Sequence, residues 1–129
     1  MAKQKTLAKV KQDLQKIVNR YIRLRDSGKP CVSCGQFKVL QAGHYYAVSG
    51  YDALRFDPDN IHGECSGCNC FNESHLILYS KNILDRIGVE SLKELDERAA
   101  EYKRSGYKWT RGELEELKIN FTNMIKDLE

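Results

Sequence analysis

Leu7, Val10, Leu14, Ile17, Tyr21 and Leu24 recur at alternating gaps of three and four. That spacing predicts an amphipathic helix of about five turns, because residues three and four apart share one face. Lys9, Lys11, Lys16, Arg20, Arg23 and Arg25 fall off the stripe and face water or phosphate. Gly28 and Pro30 stop the helix. The stripe can dock on a core or pair with a second copy; docking is expected, since a coiled coil wants three or more clear heptads.

From residue 31 to about 72 the helical period is lost. Gly35, Gly43, Gly50 and the turn Asp57-Pro58-Asp59-Asn60 punctuate this stretch. It reads as a tight knuckle at 31–35, a strand near 40–47, a loop at 48–59 and a return strand near 60–64. A short helix is expected to start around Ser66, which makes a strand–strand–helix unit.

Helical patterning returns at 75–87 and ends at Gly88. Ser91-Leu92-Lys93-Glu94 reads as a capping box opening a helix with Leu92, Leu95, Ala99 and Tyr102 on one face. Thr110-Arg111-Gly112-Glu113 is a second box, followed by Leu114, Leu117, Phe121, Met124 and Leu128. The fold class expected is α+β, mostly helical. Residues 1–30 form a basic N-terminal helical arm, and residues 31–129 a core with C-terminal helices, one domain in all.

The 129 residues suffice for one modest core. Hydrophobic content of 41% with 30% charged residues is ordinary for a water-soluble protein. No apolar run approaches the ~18 residues of a membrane span, and no signal-peptide pattern opens the chain. A cytoplasmic protein without a membrane partner is expected. The net charge of +3 conceals an asymmetry. Residues 1–30 hold nine Lys or Arg against two Asp, whereas residues 90–129 hold eight basic against ten acidic. Clustered positive charge suits a nucleic-acid partner; the plainer reading is a solvated helix face.

Cys31-Val32-Ser33-Cys34 and Cys65-Ser66-Gly67-Cys68 are two Cys-x-x-Cys pairs separated by 30 residues. Zinc takes four tetrahedral ligands, and thiolates two residues apart wrap one ion from a single turn. With Cys31, Cys34, Cys65 and Cys68 all engaged, no coordination position stays open, so the zinc is structural. Cys70 is left over and reads as an idle thiol.

Between the pairs lie Gly43-His44-Tyr45 and Asn60-Ile61-His62, and Asn69 follows the last cysteine of the clamp. This resembles the HNH (His-Me finger) nuclease pattern. The resemblance implies a zinc-bound ββα core with a single catalytic Mg2+ or Mn2+ ion. It further implies that His44 is the general base, that Asn60 orients it and that Asn69 is a ligand of the catalytic ion. Asn72 or Glu73, further along the same helix, would complete the shell. Many members carry an acidic residue or a second His before the catalytic His, where this chain has Gly43. The missing ligand is sought in His62, Asp57 or Glu73; alternatively His44 itself binds the metal. His62 reads as cleft-lining and catalytic, as a structural hydrogen-bonder, or as a zinc ligand, and His75 as a surface or capping residue.

The stretch from Arg20 to Asp26 running into Pro30-Cys31-Val32-Ser33-Cys34-Gly35 is similar to the NinG (Rap) family of lambdoid phage recombination proteins. So are Ala42-Gly43-His44-Tyr45, Leu54-Arg55-Phe56-Asp57, Asn60 to Cys65, Arg86-Ile87-Gly88 and Lys108-Trp109-Thr110. That resemblance implies an endonuclease for branched or single-strand-containing DNA, such as D-loops and Holliday-type junctions, in an infected bacterium. Arg20, Arg23, Arg25 and Arg55 are the expected phosphate contacts. No base-reading motif stands out, so backbone and shape recognition are expected. A recombinase and a second copy of the chain are candidate partners. Two other readings compete: a non-catalytic zinc DNA-binding accessory protein, and a zinc-stabilised protein-interaction module.

Overall fold

The structure, a computed structural model, describes residues 4–71 and 75–129. Among these residues, three α-helices surround one small hairpin: α1 (Leu7–Arg25), β1 (Leu40–His44), β2 (Ile61–Cys65), α2 (His75–Ser105) and α3 (Arg111–Leu128). The fold is mostly helical α+β, with a two-stranded antiparallel sheet. Helix α1 starts where Thr6 accepts the Lys9 N–H, a side-chain cap for an otherwise unpaired amide. Its apolar face buries Leu14, Val18 and Ile22 against Leu114 and Phe121 of α3, with Phe56 and Ile61 beneath. Tyr21 meets Phe121 edge to face, their ring centres 5.5 Å apart. Helix α3 opens on the full Thr110–Glu113 capping box that its sequence spells.

A second cluster lies on the other side of the hairpin. Tyr79 and Ile83 of α2 pack with Leu95, Ala99, Leu54 and Val32. Helix α2 bends at Gly88, whose φ of 83° is one that only glycine adopts cheaply. Helical backbone resumes directly after that glycine, so Ser91 lies inside the helix rather than capping it. The expected short helix after Ser66 is a single π-helical turn, Gly67–Phe71.

Strand register decides what the hairpin offers. Gly43 pairs with His62 and His44 with Ile61. Side chains alternate between faces, so Leu40, Ala42 and His44 share one face with Ile61. Gln41 and Gly43 share the other with His62 and Glu64. Ala42 and Ile61 join the α1–α3 cluster, and Tyr79 of α2 donates to the Gly43 carbonyl at 2.7 Å. The hairpin is therefore packed on both faces. The loop joining its strands carries two short 3-10 turns, Asp52–Leu54 and Pro58–Asn60.

Candidate functional site

Four sulfurs converge at the open end of the hairpin. The Sγ atoms of Cys31, Cys34, Cys65 and Cys68 all lie within 4.8 Å of one another. Cys34 and Cys65 are 3.9 Å apart, close to the ~3.8 Å edge of a tetrahedron with 2.3 Å zinc–sulfur bonds. The Cys31 sulfur accepts the N–H groups of Cys34 (3.4 Å) and Cys65 (3.3 Å), bonds that favour a thiolate. Burial and the neighbouring thiols push Cys68 up to about 12, a cost that a central cation reverses. The four are positioned to hold one metal ion, as a structural zinc would require.

Beyond the clamp, His44 ends β1 half-buried, and its Nε2 lies 3.0 Å from the Arg55 carbonyl. A carbonyl only accepts, so Nε2 carries the hydrogen and Nδ1 keeps its lone pair. Nδ1 makes no hydrogen bond among the described residues. Burial holds the ring's pKa below the usual histidine value, with Arg55's charge adding to the effect and the carbonyl opposing it.

Asn60 is fully buried and staples the inter-strand loop. Its amide donates to the carbonyls of Tyr46 and Leu54, both at 3.1 Å, and its Oδ1 accepts the Tyr46 N–H at 2.8 Å. It holds the backbone just past His44, while the ring is held by Arg55. Asn69 donates to Gln41 at 2.9 Å, on the strand face opposite to that of His44. Asn72 and Glu73, expected as further ligands, lie outside the described residues.

Three expected residues are engaged elsewhere. His62 is buried, with Nε2 2.8 Å from the Asp59 carbonyl and Nδ1 3.3 Å from the Arg25 guanidinium. Burial holds it at about 4, so it is neutral with both nitrogens occupied, a structural rather than catalytic histidine. Arg25, expected on DNA, ties α1 to the hairpin through the Pro58 and Ile61 carbonyls and the Asp26 carboxylate. Arg55, also expected on DNA, reaches Gln15 at 3.0 Å and Asp52 at 3.2 Å and sits over the Phe56 ring. Of the remaining cations, Arg20 pairs with Glu129, and Arg23 is exposed.

Two features escaped the sequence. Asp26, wholly buried, joins Arg25, Arg86 and the Gly63 N–H; burial would raise its pKa, but these bonds hold it at about 2. Glu64, also wholly buried, meets Ser33 through Oε2 and His75 Nδ1 at 2.9 Å, while its Oε1 has no partner among the described residues. An unpaired buried oxygen costs about 1–3 kcal/mol. At the surface, Phe37 (76% exposed) and Val39 (91%) stand beside a groove lined by Arg23, Lys29 and Lys38.

Among the described residues, no helix is long and apolar enough to cross a membrane. The model of the family described as Bacteriophage Lambda NinG protein matches residues 1–129. Protein ninG of Salmonella phage P22 is 36% identical over 116 residues, covering 88% of this chain and 55% of that protein. Protein ninG of Escherichia phage 933W is also 36% identical over the same shares, and that of Escherichia phage lambda 35%, over 88% and 54%. The chain thus spans about half the length of these relatives. No solved structure matches it. The chain belongs to the NinG family.

Proposed function

We propose that this NinG-family chain is a metal-dependent, structure-selective DNA endonuclease with a His-Me finger hairpin, cutting branched recombination intermediates in an infected bacterial cytoplasm. One observation carries the reading: the Arg55 carbonyl holds His44 in the tautomer whose free Nδ1 is basic. Burial keeps that ring neutral at working pH, as a general base requires. His44 takes a proton from water; the water oxygen bonds to phosphorus as the bond to the leaving sugar oxygen breaks. That oxygen then takes a proton from solvent. A bound Mg2+ or Mn2+ would stabilise the charge growing on the phosphate. Asn60 keeps the loop, and with it the Arg55 carbonyl, in place.

Arg23, Lys29 and Lys38 supply phosphate contacts, with Arg20 further along α1. Phe37 and Val39 stand where unpaired bases at a branch can pack, since stacking tolerates any sequence. A second copy of the chain fits the two incisions of a junction, and a recombinase fits the setting. The second reading, a non-catalytic zinc DNA-binding accessory protein, draws on Asn69, whose amide is bonded to Gln41 rather than turned toward His44.

The test is cleavage of labelled linear and four-way-junction DNA with Mg2+, Mn2+ or EDTA. Metal-dependent junction cutting that His44→Ala abolishes is the expected result. Cutting that survives His44→Ala removes the base assignment, and tight binding without cutting in any metal supports the accessory reading.

A further inference from the structure

Gly43 leaves a gap in the hairpin that the return strand fills. A Cβ built at Gly43 would stand 2.4 Å from Glu64 Oε1 and 2.9 Å from Glu64 Cβ. Any side chain at position 43 would therefore collide with the Glu64 carboxylate. Residues 43 and 64 lie on the same face of the sheet as diagonal neighbours, Glu64 two residues past Gly43's partner His62. Glu64 thus delivers from β2 the carboxylate that position 43 cannot.

We infer that Glu64 and His75 form a site for a hard divalent cation, of the Mg2+ or Mn2+ class. Nδ1 of His75 and Oε2 of Glu64 are 2.9 Å apart. Donors about 2.1 Å from an octahedral ion stand about 3.0 Å apart at neighbouring vertices, so the pair already has ligand spacing. Glu64 is 0% exposed, and its Oε1 has no partner among the described residues. A wholly buried carboxylate oxygen left unpaired offers its lone pair to the ion itself or accepts a hydrogen bond from a water bound to it.

The second ligand opens the site outward. The His75 side chain is 21% exposed, so an ion reaches it from solvent and keeps several waters, as Mg2+ and Mn2+ prefer. Ser33 braces the carboxylate, its Oγ against Oε2 and 3.3 Å from the His75 carbonyl. Tyr79 stands edge-on to the His75 ring, centroids 6.4 Å apart. Carboxylate, imidazole and water suit Mn2+ and Mg2+ and are unlike the four-thiolate clamp next door. The site lies on the hairpin face that His44 does not share; any role in cleavage rests on the nuclease reading, but cation binding is measurable without DNA.

The test is Mn2+ titration of the zinc-loaded full chain, following loss of the free-ion paramagnetic resonance signal, with zinc content and circular dichroism as controls. One Mn2+ per chain is expected, weakened at least ten-fold in Glu64→Gln and in His75→Gln with zinc unchanged. In the wild-type protein, Mn2+ should selectively broaden the His75 ring resonances, a readout that needs no substitution. Unchanged affinity in both variants, or His75 resonances indifferent to Mn2+, overturns the site and reduces the pair to a buried hydrogen bond. Mn2+ bound at His75 without junction cutting keeps the site and removes the nuclease. Cutting with no Mn2+ effect on His75 does the reverse.

Discussion

His44 and His62 sit on paired strands of one hairpin, one residue out of register, on opposite faces. His62 is buried and His44 half-buried, both have depressed pKa values led by burial, and in both Nε2 meets a backbone carbonyl. The second nitrogen separates them. His62 Nδ1 faces the Arg25 guanidinium in a web that runs to Asp26, Arg86 and the Gly63 amide. His44 Nδ1 has no such partner among the described residues. A histidine is available for chemistry when its surroundings fix one nitrogen and leave the other; fixing both makes it part of the frame. The region around His62 is thus a strut, and the region around His44 holds an imidazole with one nitrogen unpaired among the described residues.

The widest disruption should come from the clamp that both regions share. Cys65→Ser removes one of four sulfurs, and zinc chelation removes the ion; the binding energy of such a site is folding energy. Loss of cooperative unfolding and of bound zinc is expected in both cases. A Cys65→Ser protein that unfolds cooperatively and metal-free at the wild-type midpoint would refute the structural role.

His44→Ala should then separate the regions. Its activity on junction DNA is expected to fall about 10²–10⁴-fold, the usual contribution of a general base. The thermal midpoint should move little, since the side chain makes a single hydrogen bond among the described residues. The acid limb of wild-type activity should have its midpoint below 6.5, because burial lowers the pKa and activity needs the neutral ring. A limb centred above 6.5 would assign the titration to another group.

Asp26→Asn tests the strut. Removing one charge from a buried pair costs about 3–5 kcal/mol, because Arg25 and Arg86 keep their charge with less to balance it. Urea unfolding should show a loss of that size with the metal content intact. A change under 1 kcal/mol would mean that the web contributes little and that the contrast between the two histidines is only one of hydrogen-bond count.

Helix α1 was legible from the stripe Leu7, Val10, Leu14, Ile17, Tyr21 and Leu24, but of these only Leu14 is fully buried; Val18 and Ile22, outside the stripe, complete the buried face because α3 and the hairpin wrap that flank. The clamp was legible because ligand spacing is local to each pair. The strut was not: Asp26 reaches Gly63 across 37 residues, and no spacing rule joins them. Arg25 and Arg55 read as free cations for the same reason, their partners being backbone carbonyls and side chains brought near only by the fold. Glu64 was passed over as the residue before Cys65. Its importance comes from the register that places it over Gly43 and from His75 at the start of α2, neither of which a linear motif encodes. The missing ligand was sought in His62, Asp57 or Glu73, whereas the carboxylate that fills the space beside Gly43 belongs to Glu64.

The smallest effect concerns acid. His62 is held at about 4 when folded, against the usual histidine value of about 6.5. As pH falls through this window the unfolded chain takes up a proton that the folded chain refuses, so stability is full above 6.5 and drains toward 4. Two and a half units bound the loss at about 3 kcal/mol, and the fraction realised by pH 5 is about 2 kcal/mol. Asp26, held at about 2, adds its own loss only below its unfolded value of 3.8, so the two windows do not overlap. His62→Gln can still donate to the Asp59 carbonyl and accept from Arg25, yet it cannot titrate. Its urea midpoint should therefore fall less than the wild type's between pH 7 and pH 5, though it starts lower at pH 7. Parallel slopes for the two proteins would show that His62 is protonated in the folded state, and the strut would then be a charged one.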